Sequence, residues 1–330
     1  MTFKYNHVYL NASSTVVGPN ENQGPLKDFF DKKFSDFYAG EKSWEQAEIK
    51  MMATSINILL HKLKKAPSSI DLLIAGDLLD QIAPSSFVAA NLKIPFLGIY
   101  SACATMAEAM IIGSNMLEAK QINNIICATS SHNLSAEKQF RYPSEYGAPK
   151  PKTATFTATG GAAAYLSRVK NHIKIESATI GKVIDLGQKD ANHTGAAMAP
   201  AAADTIYTHF KNLKRNINHY DLILTGDLGL YGKEILINYL KEEYQIDIEK
   251  KYNDCGIMLY DLDKQNVGAG ASGPVSSALV TFGYIIKQMT KKKFKKVLLV
   301  ATGALFSPTF LFQSKTIPAV AHAIDLEVVE

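Results

Sequence analysis

The sequence has little cysteine, and its cysteines are not arranged to cross-link the chain or to hold a metal. The 330 residues include three, Cys103, Cys127 and Cys255, and no two have CxxC spacing. An odd, scattered set excludes a disulfide framework or a structural zinc site and favours a reducing compartment. No HExxH or P-loop pattern occurs either, so we expect neither a bound metal nor a nucleotide cofactor.

Two further absences restrict the partners of the protein. The 35 basic and 31 acidic residues leave a net charge of only +4, and no basic stripe with interleaved aromatic residues occurs. We therefore expect no nucleic acid partner. No run reaches the roughly 18 apolar residues of a membrane-spanning helix, and the first residues, MTFKYNHVYLNASS, do not resemble a signal peptide. Any membrane association should be peripheral or through a partner.

An internal repeat is the most informative feature that is present. Residues 70–79 read IDLLIAGDLL, and residues 220–230 read YDLILTGDLGL. Each is a short apolar run that ends on Gly-Asp, which is typical of a buried strand leading into a loop.

A second match follows in each half of the chain. Residues 101–131 and 274–304 both read as a small-residue loop, an apolar helix, a polar or basic turn, and a strand that ends on Ala-Thr. Alignment on these Ala-Thr pairs places Cys103 opposite Ser276. The two helices are apolar nearly all round, so each should be buried. We predict an α/β fold of layered, mostly parallel sheets.

The repeat predicts two related halves, which we place at residues 1–175 and 176–330. The longest polar interruption, residues 132–152, reads HNLSAEKQFRYPSEYGAPKPK. A loop of about twenty residues in a compact domain is usually functional or disordered. Its aromatic and cationic residues favour an ordered role, although a solvated loop is the alternative.

Eight segments, in order along most of the chain, carry a resemblance to a known family. They are SACATMAEAM, SSHNLSAEKQFRYPSEYG, KPKTATFTATGGAAAYLS, DANHTGAAMAPAA, LILTGDLGLYG, YNDCGIMLY, GASGPVSSALVTFG and VLLVATGALFSP. With these segments the chain resembles the thiolase-like superfamily, and more closely the stage V sporulation protein AD family. The superfamily resemblance implies a duplicated α-β-α-β-α fold of five layers and a homodimer.

The closer resemblance implies a function and a location. It implies binding of dipicolinic acid (pyridine-2,6-dicarboxylate) for its uptake into the developing spore, together with other stage V sporulation A-type membrane proteins. The expected location is cytoplasmic and peripheral to the spore inner membrane.

Cys103 matches the acyl-accepting cysteine of the superfamily's enzymes. A cysteine at the start of a helix is favoured as thiolate. In those enzymes two loops of the second half supply a histidine and a second histidine or asparagine. Here the matching loops are residues 225–229, TGDLG, and residues 270–274, GASGP, so the carboxylate of Asp227 replaces the base. A carboxylate raises the pKa of a nearby thiol, and we expect Cys103 to be a vestigial nucleophile.

The resemblance also suggests which side chains contact the ligand. Small hydroxyls around the expected pocket can donate to carboxylate oxygens, His132 could donate to one or cap a helix, and Arg141 could bind one with two donors. Tyr142 and Tyr146 could stack on a pyridine ring. The predicted ligand-binding set is Ser101, Cys103, Thr129, His132, Arg141, Thr225, Asp227, Ser272 and Ser276.

Three functions remain open from the sequence. The first is a non-catalytic binding protein that holds dipicolinate. The second is a Cys103-dependent acyltransferase of the ketoacyl synthase type. The third is a structural subunit whose pocket is vestigial.

Overall fold

The computed structural model describes residues 1–141 and 149–329. Its strands are β1 (Thr2–Lys4), β2 (Tyr9–Val17), β3 (Lys32–Lys33), β4 (Leu72–Gly76), β5 (Phe96–Gly98), β6 (Asn124–Ser131), β7 (Phe156–Thr157), β8 (Gly160–Ser167), β9 (Ile173–Ile180), β10 (Leu222–Thr225), β11 (Tyr252–Asp254), β12 (Ala271–Ser272), β13 (Lys296–Ala304) and β14 (Ala319–Val328). Its α-helices are α1 (Trp44–Leu63), α2 (Ala83–Leu92), α3 (Thr105–Glu118), α4 (Asn133–Phe140), α5 (Thr194–Leu213), α6 (Gly229–Tyr244), α7 (Cys255–Leu259), α8 (Pro274–Leu279), α9 (Ile286–Thr290) and α10 (Pro308–Phe312). A π-helical segment, Val280–Ile285, joins α8 to α9. None of the helices in these ranges is both long and apolar enough to cross a bilayer.

Two sets of five strands have the same order and the same directions. The first set is ordered β5-β4-β6-β8-β2 and the second β11-β10-β13-β14-β9. In each set the first three strands are parallel, and the fourth is antiparallel to both of its neighbours. Strands β2 and β9 pair at Tyr9–Lys174 and Leu10–Ile173, which joins the two sets. The duplication that the sequence predicts is therefore present in the topology.

Helices cover both faces of each set of strands. Helices α1 and α2 pack on the outer face of the first set, and α5 packs on the outer face of the second with α6 against it. Helix α3 lies between the sets and contacts strands of both, while α8 packs beside it on β6 and β8. The result is the predicted thiolase-like fold of five α-β-α-β-α layers. The division at residue 175 stays a prediction; strand β9 runs across it.

The buried layers explain the apolar segments of the sequence. Every residue of β4 is buried, and so is every residue of β13 except the first, as expected for strands covered on both faces. Helix α3 buries residues around most of its circumference because sheets flank it on two sides. Helix α1, on the outer face, buries one side only, and it begins with a capping serine, Ser43, whose side chain accepts from the Gln46 amide.

Two segments differ from what their sequence suggests. Residues 133–140, predicted to lie in a long loop, form helix α4, because His132 caps its first turn. Residues 251–262 resemble one strand, yet β11 ends at Asp254 and α7 follows.

Candidate functional site

A cavity of about 120 Å³ lies beyond the carboxyl ends of strands β4, β6, β10 and β13. The loops and helices that follow these strands come from both halves of the chain, and such strand ends are where α/β folds usually bind ligands. The volume is roughly ten times what one buried water needs, which suits a small molecule. The cavity is lined by Leu78, Tyr100, Ala102, Cys103, Ala136, Glu137, Phe140, Arg141, Thr155, Thr157, Ala191, Thr194, Met198, Asp227, Ser272, Gly273, Ala304 and Phe306.

The repeated Gly-Asp pairs lie at two of these strand ends. A Cβ atom on Gly76 would clash with the Ile99 carbonyl oxygen, and one on Gly226 would lie 2.8 Å from the Thr302 amide nitrogen. Both positions need glycine because backbone from a neighbouring segment approaches too closely for a side chain. Each glycine thereby sets the position of the aspartate after it.

The two aspartates have different partners. Asp77 in the first half accepts from the Ser85 amide and hydroxyl at 2.9 and 2.6 Å, at the start of α2. Asp227 in the second half lies in the cavity wall, where it accepts from the Thr302 hydroxyl at 2.8 Å and the Gly273 amide at 3.1 Å. The duplication therefore supplies one aspartate that caps a helix and one that belongs to the candidate site.

Cys103 is part-exposed in the cavity wall, on the short 3-10 turn before α3. Burial raises the pKa of its thiol well above the usual value, and the negative charge and hydrogen bond of Asp227 raise it further. The Gly273 amide lowers the pKa, but by less. The thiol is consequently held protonated near neutral pH, although it precedes a helix.

A histidine that no sequence pattern singled out lies near this turn. His322, on strand β14, has its Nε2 atom 3.3 Å from the Ser101 hydroxyl, and its Nδ1 accepts from the Gly181 amide at 3.3 Å. Burial lowers the pKa of this histidine to about 4, so the ring is neutral. Among the residues that the structure describes, no side-chain nitrogen is hydrogen-bonded to the Cys103 sulfur.

Arg141 is the cation of the cavity wall and follows directly on helix α4. Its guanidinium donates to Asn192 Oδ1, and its Nε lies 3.7 Å from Glu137 Oε2. Lys150 also contacts Glu137, at 2.6 Å. A guanidinium has five donors, so these contacts orient Arg141 without using its full donor capacity. Tyr142 and Tyr146, predicted to stack on a ring, lie outside the described residues.

Four of the predicted residues are brought together in the cavity: Cys103, Arg141, Asp227 and Ser272. The other five are not in its lining. The hydroxyl of Thr129 donates to the Gly76 carbonyl at 2.7 Å, and that of Thr225 donates to Asp254 at 2.6 Å. Both hydroxyls are therefore used to fix neighbouring loops.

Ser101, His132 and Ser276 are also buried away from the cavity lining. Ser101 contacts His322, as described. His132 caps α4, with Nδ1 accepting from the Leu134 amide at 3.2 Å and Nε2 lying 2.8 Å from the Phe37 carbonyl oxygen. Ser276 lies in the first turn of α8, and within the described residues its hydroxyl has no hydrogen-bond partner. These positions offer no direct contact with a molecule in the cavity.

Sequence reasoning missed the aromatic part of the lining. Tyr100 precedes the Cys103 turn, Phe140 ends α4, and Phe306 follows β13. The rings of Phe140 and Phe306 lie 5.8 Å apart. Thr155 and Thr157, on either side of strand residue Phe156, add hydroxyls. The available signal was position, since both residues lie just beyond a strand end, Phe306 inside the segment VLLVATGALFSP and Tyr100 directly before SACATMAEAM.

The described residues contain no group of three histidine, cysteine or carboxylate side chains that could hold a metal ion. Among these described residues, the cavity lining offers one thiol, the buried carboxyl of Asp227, the carboxylate of Glu137, one guanidinium, several hydroxyls and three aromatic rings.

The duplicated five-layer fold, with a cysteine before its central helix, defines a thiolase-like protein. The model of the family described as stage V sporulation protein AD (SpoVAD) matches residues 1–327. The chain is 46% identical over 327 residues to stage V sporulation protein AD of Bacillus subtilis (strain 168), covering 99% of this chain and 96% of that protein. The chain belongs to the stage V sporulation protein AD family.

Solved structures of condensing enzymes share the fold at low identity. A cerulenin-bound OleA of Xanthomonas campestris matches with a TM-score of 0.61 at 15% identity, covering 98% of each chain. The 3-oxoacyl-[acyl-carrier-protein] synthase III of Aquifex aeolicus VF5 matches with a TM-score of 0.58 at 13% identity, covering 97% of this chain and 99% of that one. At such identities the likeness concerns the fold alone.

Proposed function

We propose that this protein binds dipicolinic acid without transforming it, in the cavity around Cys103, for uptake into the developing spore. The observation that carries the proposal is the pairing of the Cys103 thiol with the buried carboxyl of Asp227. Acyl transfer by a thiol needs thiolate, which is the nucleophilic form. Here the pKa of the thiol is raised, so the cavity favours reversible binding.

The lining suits a small aromatic dicarboxylate. Arg141 supplies a planar cation that can bind a carboxylate with two parallel donors. Thr155, Thr157 and Ser272 supply hydroxyl donors. A pyridine ring needs flat apolar contacts, and Phe140 and Phe306 provide them in the same wall.

Titration calorimetry of the purified protein with dipicolinate tests the proposal. We expect Arg141→Ala to weaken binding by roughly 10- to 100-fold, because hydrogen bonds to charged groups contribute about 1.5–3 kcal/mol. Arg141→Lys keeps the charge but loses the planar pair of donors, so its affinity for dipicolinate should lie between that of the wild type and that of Arg141→Ala. Pyridine-2-carboxylate, which lacks one carboxyl, should bind more weakly than dipicolinate.

The matched control is Arg168→Lys, because Arg168 follows the end of strand β8 that lies away from the cavity. It should bind dipicolinate as the wild type does. Absence of any heat of binding at millimolar dipicolinate would refute the proposal.

Cys-dependent acyl transfer is the second candidate, because Cys103 does line the cavity at the start of the central helix. Incubation with acyl-CoA donors, followed by intact mass, distinguishes the two. We expect no adduct. An acyl adduct that disappears in Cys103→Ala would favour the enzyme.

We extend the proposal to partners and location. The protein would act as a homodimer, peripheral to the spore inner membrane on its cytoplasmic side, and would pass dipicolinate to other stage V sporulation A-type membrane proteins. The family to which the chain belongs supports a role in sporulation. Vesicle co-sedimentation of the protein, with and without such a membrane protein reconstituted, tests whether a partner is needed for attachment.

A further inference from the structure

The carboxyl of Asp227 does not attract the dicarboxylate that the proposed function requires. It is closed off from solvent in the cavity wall, and its two oxygens accept from Thr302 and Gly273. A ligand with two carboxylates brings further negative charge to the same cavity. Like charges at close range in a poorly hydrated site strongly disfavour each other.

The fixed charges around the cavity do not offset a dianion fully. Arg141 and Lys150 are positive and Glu137 is negative, and the three contact one another. If Asp227 is ionised, these four groups sum to zero. A dicarboxylate is a dianion near neutral pH, because carboxyl groups titrate near pH 4, so the occupied cavity would carry two uncompensated negative charges.

We propose that the cavity takes up one proton when a dianionic dicarboxylate enters it, and that Asp227 carries this proton. The inference rests on the proposed function. The uptake lowers the net negative charge of the occupied site from two to one. It also turns Asp227 from a repelling anion into a neutral hydrogen-bond acceptor and donor. The hydrogen bonds from Thr302 and Gly273 need only one lone pair each, so they persist in the protonated form.

The surroundings of Asp227 bring its pKa close to neutral pH before any ligand binds. Burial raises the pKa of Asp227 to about 7, and the nearby carboxyl of Asp254 adds to the rise, while bonds from Cys103, Thr302 and Gly273 oppose it. Two more negative charges can only raise this pKa further. The proton is therefore taken up between the free and the occupied pKa, at neutral and mildly alkaline pH.

Other titratable groups near the cavity are less suited to this role. The Cys103 thiol is already protonated in the free protein, since its pKa is raised. The ring of His322 is neutral and faces Ser101 rather than the cavity. His193 lies between Asn192, which contacts Arg141, and Thr194, which lines the cavity. Replacement of His193 is therefore the matched control for replacement of Asp227.

The test is calorimetry of dipicolinate binding in pairs of buffers with different ionisation enthalpies. The difference in apparent heat gives the number of protons exchanged. We expect uptake of about one proton per ligand in mildly alkaline buffer, and an affinity that falls by up to about tenfold per pH unit above roughly pH 7. Below about pH 6 Asp227 is already protonated, so uptake should vanish and affinity should level off.

Two variants assign the proton. Asp227→Asn should lose both the uptake and the pH dependence, and at about pH 8 it should bind roughly tenfold more tightly than the wild type. His193→Gln should behave as the wild type. If the amide upsets the fold at position 227, the wild-type and His193→Gln measurements still decide whether a proton is taken up and whether the histidine carries it.

The possible failures are distinguishable. Absence of binding at every pH contradicts the proposed function itself. Binding with no buffer-dependent heat leaves that function standing and overturns the proton uptake. Uptake that persists in Asp227→Asn, or disappears in His193→Gln, assigns the proton elsewhere and overturns the role of Asp227.

Discussion

Cys103 occupies a position where two local effects on a thiol compete. The backbone at the start of a helix favours thiolate, whereas burial and a neighbouring carboxylate favour thiol. Burial is the largest effect here, and Asp227 acts in the same direction. Burial and the neighbouring carboxylate together therefore outweigh the effect of the helix start on this thiol.

The raised pKa of the Cys103 thiol should make this residue slow to alkylate. At about pH 8 we expect Cys103 to react with iodoacetamide markedly more slowly than free cysteine, because only the thiolate reacts and burial raises the pKa of this thiol. Asp227→Asn should speed the reaction by removing a negative charge. Intact mass measures the rate, and Cys103→Ser identifies the labelled site, because Cys127 and Cys255 are buried. A rate equal to that of free cysteine would contradict the raised pKa.

At the scale of elements, helix α4 determines one wall of the cavity, with Ala136, Glu137 and Phe140 in the lining. Two contacts hold it to α1. The buried Ser135 hydroxyl donates to Glu48 Oε2 at 2.9 Å, and the exposed Lys138 contacts Glu45 at 2.8 Å. Burial, with the charge of Asp77, raises the pKa of Glu48.

These two contacts should differ in strength. Ser135→Ala should lower the free energy of unfolding by about 1–3 kcal/mol, because it removes a donor from a buried carboxyl that water cannot reach. Lys138→Ala should change it by less than about 0.5 kcal/mol, because its partner is solvated. Denaturant unfolding of both variants measures the difference. Equal effects would show that α4 is not held mainly from its buried side.

At the scale of the whole molecule, the layered fold could be predicted because buried strands and central helices leave a strong apolar pattern. The repeated Gly-Asp and Ala-Thr segments indicate the duplication, and the structure has the same strand order twice. Residues 133–140 could not be predicted in this way. Helix α4 is short and polar, and its cap is a histidine, so neither hydropathy nor a preferred capping residue marks it.

The site was predictable only in part, for a reason of geometry. Motif position brought Cys103 and Asp227 to the cavity, because each lies in a turn or loop that the fold directs there, and it brought Ser272, at the end of the two-residue strand β12. The same reasoning placed Thr129 and Thr225 there, yet these residues lie within the strands themselves and bond to adjacent backbone or carboxyl groups. A shift of two residues along the chain, from Thr225 to Asp227, separates a residue that braces a loop from one that lines the cavity.

The outer edge of the first sheet bears on the proposed homodimer. Strand β5 is the outermost strand of the first set, and within the described residues it pairs with β4 alone. Exposed edges with apolar side chains tend to pair with another chain. Two such side chains lie on or beside this edge: Leu97 and Tyr100, which are 44% and 45% exposed.

A charge at this edge should therefore separate the subunits. We expect the wild type to be a dimer by light scattering coupled to size exclusion, and Leu97→Lys to be a monomer or a weakened dimer, because association would desolvate an unpaired ammonium. Val169→Lys is the matched control, since Val169 is 71% exposed beyond the far end of β8. A monomeric wild type would contradict the dimer, and a dimer unaffected by Leu97→Lys would exclude the β5 edge as its interface.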